Sequence, residues 1–315
     1  MSQRAKLYWL STAQVRKLIQ LAWGYDPAFT NVDQSHFHMN ETGSCADNAL
    51  VKEGCPTVPL HENHAATRQR YSLNSVTHSD EDAIRRGLPG FEMMFTAEEQ
   101  TDHFQDLNAF VVNQDLNFRV SVVTGTSGSY KEEDILEFLE KWLKKWPQKD
   151  NRRRWEIFVL DAYAPGLTRN CQHKCWERGY VLITHGGGSS MVTQTNDTDL
   201  HQEVRKRFVE QQEMLQVRKI RAEGGGMADL SREENLAIMI DVMSDPELHL
   251  QAAKGYKKTG TTVSFDGQED HLIVREAKAF WDENDMRNKI TSLSLIHISE
   301  PTRPLYISYA VFCLK

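Results

Sequence analysis

The sequence predicts an α/β fold in which a mixed β-sheet is flanked by helices, with a small helical extension at its C-terminal end. Two short, continuously apolar segments, residues 155–160 and 180–183, have the composition of buried central strands. Helical patterns alternate with these segments along the chain, which is typical of helices packed on a sheet. The earlier strand candidates follow one another like a meander, so we expect a mixed rather than a fully parallel sheet.

The first third of the chain is predicted to form a helix and then a strand. Residues 9–22 place Val15, Leu18 and Ile19 at helical spacing. Residues 29–39 alternate in polarity, which indicates a strand. Residues 45–80 are predicted to form loops and short strands. Residues 91–95 and 118–123 are each predicted to form a strand.

The rest of the chain alternates helices with the two apolar strands. Residues 131–146 have apolar side chains on one helical face and predict an amphipathic helix. Residues 199–219 predict a long, highly charged helix, and the glycines at 224–226 indicate a linker. Ser231 and Glu234 have the spacing of a capping box, which predicts the start of another helix.

The composition is that of an ordinary globular protein, with 40% hydrophobic and 26% charged residues. No apolar run approaches the ~18–20 residues that a membrane span needs, and charged residues interrupt the N-terminal segment where a signal peptide would be apolar. We therefore expect no membrane partner and no secretion. The 5 cysteines are an odd number, which favours a reducing compartment over a disulfide framework.

The last residues, 293–315, differ in composition from everything before them. Their sequence, LSLIHISEPTRPLYISYAVFCLK, matches a reading frame of a sequencing-library adapter, so we expect an artefact that contributes nothing to the fold. The whole chain has a formal charge of −7. A negative balance does not favour binding to nucleic acids, because phosphate binding depends on Lys and Arg, so such binding would need local contacts or a separate basic module.

Three aspartates occupy positions at which a sheet edge would bring them together. Asp33 lies in the first predicted strand, Asp161 ends an apolar strand, and Asp197 follows a glycine-rich loop and opens a helix. Open α/β sheets bind ligands at the carboxyl ends of their strands. Three carboxylates that converge there repel one another unless cations neutralise them, and oxygen ligands favour Mg²⁺ or Mn²⁺. Two such ions, ~3.5–4 Å apart, are a common arrangement for phosphodiester cleavage.

The spacing alone leaves a structural interpretation of these acids open. The chain has 44 acidic residues, so three well-placed aspartates can arise by chance. Asp161 could cap the helix that follows it, and Asp197 could be a helix N-cap.

Three segments around these aspartates resemble the acidic motifs of the DDE superfamily endonucleases, in the mariner/pogo-like group of transposases. They are FTNVDQSHFHMNETGS, WEIFVLDAYAPGLTRN and YVLITHGGGSSMVTQTNDTDLHQ. The segment VVTGTSGSYKEEDILEFLEKWL is similar to the one between the first two motifs, and LSREENLAIMIDVMSDPELHLQAAKGYKKTG is similar to one that follows the core in some elements. The similarity to the core covers roughly residues 25–215.

This resemblance implies an RNase H-like catalytic core of a DNA transposase, which cleaves and joins DNA phosphodiesters with two Mg²⁺ or Mn²⁺ ions. The motifs match Asp33, Asp161 and Asp197 to the first, second and third acids, as catalytic and metal-binding residues. Asp199 competes with Asp197 for the third position, because the sequence NDTD offers two acids. The resemblance also implies DNA as the partner, both element ends and target, allows a homodimer, and implies a nuclear location.

Two departures from the family pattern bear on activity. Many relatives carry a histidine five residues after the second acid, where this chain has Gly166. The family's helix-turn-helix region normally precedes the core, whereas about 25 residues precede the first strand here, so we expect the DNA-recognition domain to be missing. The alternatives to an active enzyme are a decayed or domesticated copy that binds nucleic acid without cutting it, and an unrelated α/β metal-dependent hydrolase.

Four segments are predicted along the chain, of which the catalytic domain is the largest. They are a residual linker helix at 1–24, the DDE RNase H-like catalytic domain at 25–222, a C-terminal helical extension at 223–292 and the adapter-derived artefact at 293–315.

Four basic residues are candidates for contacts with DNA phosphates. They are Arg68, Arg70, Lys206 and Arg207. A solvated surface explains the first two equally well, and the exposed face of a helix is the better explanation for the last two.

A cluster of cysteine and histidine suggests zinc as an alternative metal. Cys171, His173 and Cys175 lie close together in the sequence, and His185 follows them, but the C-x-H-x-C spacing fits no usual zinc motif. We expect instead that Cys171 and Cys175 line one face of a helix, one turn apart.

Overall fold

The structure is a computed structural model that describes most of the chain. The described residues are 2–38, 70–96, 106–111, 116, 118–125, 130–143, 155–161, 168–185, 190–223 and 229–292. Several features of the sequence analysis lie outside them: Arg68, Gly166, the glycines at 186–188 and 224–226, and the predicted artefact at 293–315.

Strands and helices alternate along the described chain. The strands are β1 (Phe29–His38), β2 (Arg70–His78), β3 (Phe91–Thr96), β4 (Val120–Gly125), β5 (Glu156–Asp161) and β6 (Tyr180–His185). The helices are α1 (Ser2–Trp23), α2 (Glu81–Arg86), α3 (Glu132–Leu143), α4 (Arg169–Glu177), α5 (Ser190–Thr193), α6 (His201–Glu223), α7 (Arg232–Met243), α8 (Pro246–Lys258), α9 (Arg275–Glu283) and α10 (Met286–Thr291). A π-helical turn, Asn196–Leu200, precedes α6, and a 3-10 turn, Asp270–Leu272, precedes α9. Among the described helices, none combines the length and the apolar character needed to cross a bilayer.

The strands form one six-stranded sheet in the order β4-β3-β2-β1-β5-β6. The first three strands are an antiparallel meander, β5 and β6 extend the sheet parallel to β1, and β4 lies parallel to β3. A meander that is extended beside its first strand by parallel strands is the RNase H-like arrangement. The predicted fold class, a mixed sheet flanked by helices, is therefore confirmed.

β2 is longer and more central than its sequence indicates. The polar composition of residues 45–80 predicts loops and short strands, but Arg70–His78 form one strand of 9 residues between β1 and β3. Leu73 packs into an apolar cluster on one face of the sheet and Val76 into a cluster on the other. Ser75, which is also buried, makes its hydrogen bonds to groups that are distant in the sequence. A polar central strand of this kind escapes a prediction that depends on hydropathy.

Helices cover both faces of the sheet. On one face, α3 and α4 bury Phe138, Trp142 and Cys175 against Val32 and Phe158 of the central strands. On the other face lie α1 and the helices that follow the π-helical turn. The apolar sequence of β5 follows from this arrangement, because a strand covered on both faces has no solvent-facing side.

Two local predictions are confirmed. Cys171 and Cys175 are both buried on α4, one turn apart on the same face. At the start of α7, the Ser231 hydroxyl accepts the Glu234 N–H at 3.2 Å, and the Glu234 carboxylate accepts the Ser231 N–H at 2.7 Å, which completes the capping box.

α1 is part of the main core. Trp9 is 1% exposed and its ring packs edge-on against that of Trp281, with 5.8 Å between the centroids. The buried Arg16 guanidinium donates two hydrogen bonds to the Asp26 carboxylate, at 2.9 and 2.6 Å. The predicted linker helix at 1–24 therefore shares a core with the sheet and the C-terminal helices. The four-segment division of the chain stays a prediction.

Replacing Trp9 with alanine tests whether α1 stabilises this core. The change removes a buried aromatic side chain and the hydrogen bond that its Nε1–H donates to the Thr259 carbonyl at 2.8 Å. We expect the free energy of unfolding to fall by about 3–5 kcal/mol. Leu7→Ala is the matched control on the same helix, because Leu7 is 49% exposed. The control should cost less than about 0.5 kcal/mol in urea denaturation, and equal effects of the two changes would show that α1 is not held in the core.

Candidate metal centre

Two of the predicted acids lie where the pairing of the parallel strands β1 and β5 ends, Asp33 in the middle of β1 and Asp161 at the carboxyl end of β5. The last paired residues are Val32 and Leu160, and Asp33 and Asp161 follow them directly. Because side chains alternate between the faces of a strand, both aspartates face the side of the sheet that α1 covers, as Val159 does. Asp161 is exposed at the end of its strand.

The third predicted acid, Asp197, lies in the π-helical turn that leads into α6. The His201 N–H donates to the Asn196 carbonyl, which is the i to i+5 spacing of a π-helix. This wider turn brings Asp197 and His201, four residues apart, to one side of the turn, where both approach Asp33. Single π-helical turns occur frequently at functional sites.

Asp33, Asp197 and His201 form a group that we call the carboxylate–imidazole cluster. His201 Nδ1 lies 3.4 Å from Asp33 Oδ2 and 3.4 Å from Asp197 Oδ1. One ligand atom from each residue lies within 4.8 Å of the other two. The Asp33 side chain is 11% exposed and the Asp197 side chain is 39% exposed. The cluster is therefore shielded from solvent at Asp33 and accessible to solvent at Asp197.

Asp199, the competitor for the third position, points to a different part of the fold. Its carboxylate pairs with Lys258 at the end of α8. A Cβ atom on Gly255 would lie 2.6 Å from Asp199 Oδ2, so the glycine allows α8 to approach this carboxylate closely. Asp199 therefore joins the π-helical turn to α8, and Asp197 is the acid that lies beside Asp33.

Burial raises the pKa of the Asp33 carboxyl to about 7. The His201 imidazole opposes this rise, whereas the negative charges of Asp197 and Asp161 add to it. A hydrogen bond with the Gln194 side chain also lowers the pKa of Asp33 and so offsets part of the rise. Asp161 thus acts on Asp33 electrostatically, although it lies outside the carboxylate–imidazole cluster. The charged form of Asp33 is unfavourable in this fold unless a cation is close to it.

The donor set of the cluster fits a divalent cation. In an octahedral shell with bonds of ~2.1 Å, neighbouring ligand atoms are about 3 Å apart and opposite ones about 4 Å apart. The observed separations are 3.4 Å for both nitrogen–oxygen pairs and at most 4.8 Å overall, so a small closure of the side chains would reach those values. Carboxylates suit Mg²⁺ and Mn²⁺, and an imidazole is a further donor that suits transition metals.

The four residues considered as zinc ligands do not converge. Cys171 and Cys175 are buried against one face of the sheet, and His173 on the same helix is exposed. His185 lies on the opposite face, where its ring stacks on Tyr8 with 4.4 Å between the centroids. Burial lowers the pKa of His185 to about 3, so this imidazole is neutral. These residues therefore do not form a zinc site.

The candidate phosphate-binding residues differ in their surroundings. Arg70 begins β2, and Arg68 lies outside the described residues. Lys206 is exposed on α6. Its neighbour Arg207 forms an ion pair with Asp245, the N-cap of α8. A role in DNA binding stays a prediction for all four.

His201 is a site residue that the sequence analysis missed. It follows Asp197 by four residues, and residues at that spacing share a helix face, so a histidine there is a recognisable candidate ligand. Ser75, whose hydroxyl oxygen lies 2.7 Å from His201 Nε2, has no such signal. No spacing in the sequence connects β2 with the turn that carries His201.

Comparison with known proteins yields structural neighbours only. No protein-family profile and no curated protein matches the chain. A strand transfer complex of Mos1 superimposes on 92% of this chain with 9% sequence identity and a TM-score of 0.42. The Mos1 mariner paired-end complex with Mn superimposes on 80% of this chain with 13% identity and a TM-score of 0.40. This chain covers 63% and 62% of those two chains. Because these scores are low, the fold assignment rests on the strand order described above.

Asp33→Asn should stabilise the metal-free protein at pH 8. The pKa of Asp33 is about 7 in the fold, whereas an unperturbed aspartate has a pKa of about 3.9. The folded state therefore binds this proton more tightly than the unfolded state, and the stability falls as the pH rises from about 4 to about 7. Asparagine removes the buried charge, so the free energy of unfolding at pH 8 should rise by an amount on the order of a few kcal/mol.

Urea denaturation in the presence of EDTA, at pH 5 and at pH 8, measures this effect. Asp282→Asn is the control, because the Asp282 side chain is 64% exposed, and it should change the stability by less than about 0.5 kcal/mol at either pH. A lower stability of Asp33→Asn at pH 8 would contradict the electrostatic account of the site.

Proposed function

We propose that this chain is the catalytic core of a DDE-type DNA transposase, in which Asp33, Asp161 and Asp197 hold divalent metal ions for the cleavage and joining of DNA phosphodiesters. The observation that carries the proposal is the carboxylate–imidazole cluster beside the middle of β1, with Asp161 at the carboxyl end of the adjacent parallel strand β5. Asp33 and Asp197, which come from separate sequence motifs, lie together in this cluster, and Asp161 acts on Asp33 electrostatically. Two aspartates that only capped helices would have no reason to lie together.

The electrostatics of the site support a metal-dependent activity. The pKa of Asp33 is raised by burial and by the charges of Asp197 and Asp161, so the ionised site needs a positive charge. Divalent ions supply that charge and, when bound, polarise a phosphodiester and lower the pKa of an attacking water. Asp33 and Asp197 would hold an ion between them, and Asp161 would contribute from the exposed end of β5.

The exposure of the site supports a large substrate. Asp161 and Asp197 are both exposed, while Asp33 forms the closed side of the cluster. A duplex can reach an open edge of a sheet without entering a pocket. An unrelated hydrolase of small molecules would instead bury most of its substrate in a preformed cavity beside Asp161.

The partners belong to the same proposal. DNA is the proposed partner, as element ends and as target, and a nuclear location and a homodimer are further parts of the proposal. The motif resemblance supports all three, and the exposure of Asp161 and Asp197 supports DNA as the partner.

Asp161→Asn should abolish metal-dependent cleavage of DNA by this chain. Asparagine is nearly isosteric with aspartate, so the fold should be retained, but it is neutral and a poorer ligand for a hard cation. We expect the wild-type chain to nick supercoiled plasmid with Mn²⁺, and more weakly with Mg²⁺, which demands a stricter octahedral geometry. The variant should be slower by at least about 100-fold, which corresponds to about 2.7 kcal/mol of transition-state stabilisation.

Asp282→Asn, an exposed acid on α9, is the control for this assay and should nick as the wild type does. Equal nicking by all three proteins would reveal a contaminating nuclease. A wild-type chain that binds the metal but does not nick with either ion would favour the alternative function, a decayed or domesticated copy that binds nucleic acid without cutting it.

Binding of this chain to duplex DNA should be weak, independent of sequence and dependent on the metal. The formal charge of −7 gives little long-range attraction to a polyanion, and a bound cation would remove part of the local repulsion at the acids. For two or three phosphate contacts, the affinity should fall about 10- to 50-fold between 50 and 200 mM salt.

Fluorescence anisotropy with labelled duplexes of unrelated sequences measures this binding, with Mn²⁺ or with EDTA. Tight binding to one sequence, or binding that is unaffected by EDTA, would contradict the prediction and would indicate a sequence-reading surface within this chain.

A further inference from the structure

Both ring nitrogens of His201 have defined surroundings. The residue is 7% exposed. Its Nδ1 atom faces the carboxylates of Asp33 and Asp197, at 3.4 Å from each, and its Nε2 atom lies 2.7 Å from the Ser75 hydroxyl oxygen. The position of the proton on this ring decides whether Nδ1 can act as a ligand.

The hydrogen bonds around Ser75 allow His201 Nε2 to carry that proton when Nδ1 binds a cation. The Thr77 hydroxyl donates to Asn196 Oδ1 at 2.6 Å, which fixes the orientation of the amide, and Asn196 Nδ2 therefore donates to Ser75 Oγ at 3.1 Å. The Ser75 hydroxyl in turn donates to the Asp33 carbonyl at 3.4 Å. A hydroxyl has one proton and two lone pairs, so with its own proton on the Asp33 carbonyl, Ser75 Oγ has a second lone pair that can accept the N–H of His201 Nε2 at 2.7 Å.

With its proton on Nε2, the His201 imidazole would present the lone pair of Nδ1 to the two carboxylates. Three electron-pair donors that face one another are unfavourable unless a cation lies among them. Without a cation, the contact of His201 Nδ1 with Asp197 Oδ1 is a hydrogen bond of 3.4 Å, longer than the ~2.7–2.9 Å of charge-assisted hydrogen bonds, so a cation that binds Nδ1 displaces only a weak interaction.

We propose that His201 is a ligand, through Nδ1, of the cation that Asp33 and Asp197 hold, and that Ser75 is the positioning residue that orients its ring. This inference rests on the proposed metal-dependent function. It adds a nitrogen donor to a site that the sequence motifs describe as made of carboxylates alone.

The hydrogen bonds that orient the His201 ring extend into the protein core. Asn196 and Thr77 are buried, and the Tyr256 hydroxyl of α8 lies 3.0 Å from Thr77 Oγ1. Ser75 is thus tied through Asn196 and Thr77 to a helix on the far side of the turn. Outer-shell partners of this kind orient metal-binding histidines, and their loss typically lowers metal affinity 10- to 100-fold.

A nitrogen ligand changes which ions the site prefers. Imidazole favours first-row transition metals, whereas sites made only of carboxylate, carbonyl and water suit Mg²⁺ and Ca²⁺. We therefore expect the chain to bind Mn²⁺ more tightly than Mg²⁺ by at least about 10-fold, and most of that preference should depend on His201.

The test is Mn²⁺ binding to the full chain, followed by electron paramagnetic resonance. The loss of the free-ion signal gives the affinity, and electron spin echo modulation reports a coordinated ¹⁴N nucleus. We expect ¹⁴N modulation in the wild type, its loss in His201→Asn together with a fall in Mn²⁺ affinity of at least 10-fold, and a smaller fall in Mg²⁺ affinity measured by competition. His271→Asn, an exposed histidine in the 3-10 turn, is the control and should leave the modulation unchanged.

Ser75→Ala leaves His201 in place but removes the hydrogen bond that orients its ring. This variant therefore tests the proposal even if His201→Asn does not fold. It should retain ¹⁴N modulation with an altered coupling and bind Mn²⁺ about 10- to 100-fold more weakly. Tight Mn²⁺ binding without ¹⁴N modulation in the wild type would overturn the role of His201 and leave the carboxylate site intact. An absence of Mn²⁺ binding by the folded wild type would instead overturn the proposed function.

Discussion

The position of the third acid depends on one buried amide, that of Asn196. Its oxygen accepts the Thr77 hydroxyl and its nitrogen donates to Ser75, so both ends of the amide are bonded to β2. An amide without such partners would be costly to bury, which makes the location of the π-helical turn nearly obligatory. Asp197 and His201 follow Asn196 in the same turn. Their approach to Asp33 is therefore a consequence of core hydrogen bonding and does not require a metal.

The same turn is held from its other side by α8. Asp199 pairs with Lys258, and Gly255 allows the helix to approach. The turn is thus clamped between β2 and the C-terminal helices, which explains why these helices and the sheet share one core. The cost of this rigid arrangement appears at Asp33, whose charge is buried among other acids. A preformed site of this kind binds a cation without first paying to order its ligands.

The sequence predicts the parts of this site that depend on local pattern. β1, β5 and β6 have recognisable strand patterns. The proximity of Asp33 and Asp161 follows from the pairing of β1 with β5, because both residues come directly after the last paired residues. The π-helical turn was not predictable, because no local propensity distinguishes it from the first turn of an α-helix. β2 escaped prediction because its polar residues are satisfied by distant partners, and Ser75 and His201 meet only through that strand. The periodicity of hydrophobic residues in the sequence predicts burial well, but it does not predict which buried polar groups form hydrogen bonds with one another.

The central claim is that the converging acids bind a divalent cation, and anomalous diffraction from crystals soaked in Mn²⁺ tests it most directly. We expect an anomalous peak between Asp33, Asp197 and His201, bonded to one atom of each at ~2.1–2.3 Å, with Asp161 within reach of the same ion or of a second one. Strong anomalous peaks elsewhere and none at this position, at a concentration that saturates Mn²⁺ binding in solution, would contradict it. In that case the cluster would be a structural ion pair of an imidazolium with two carboxylates.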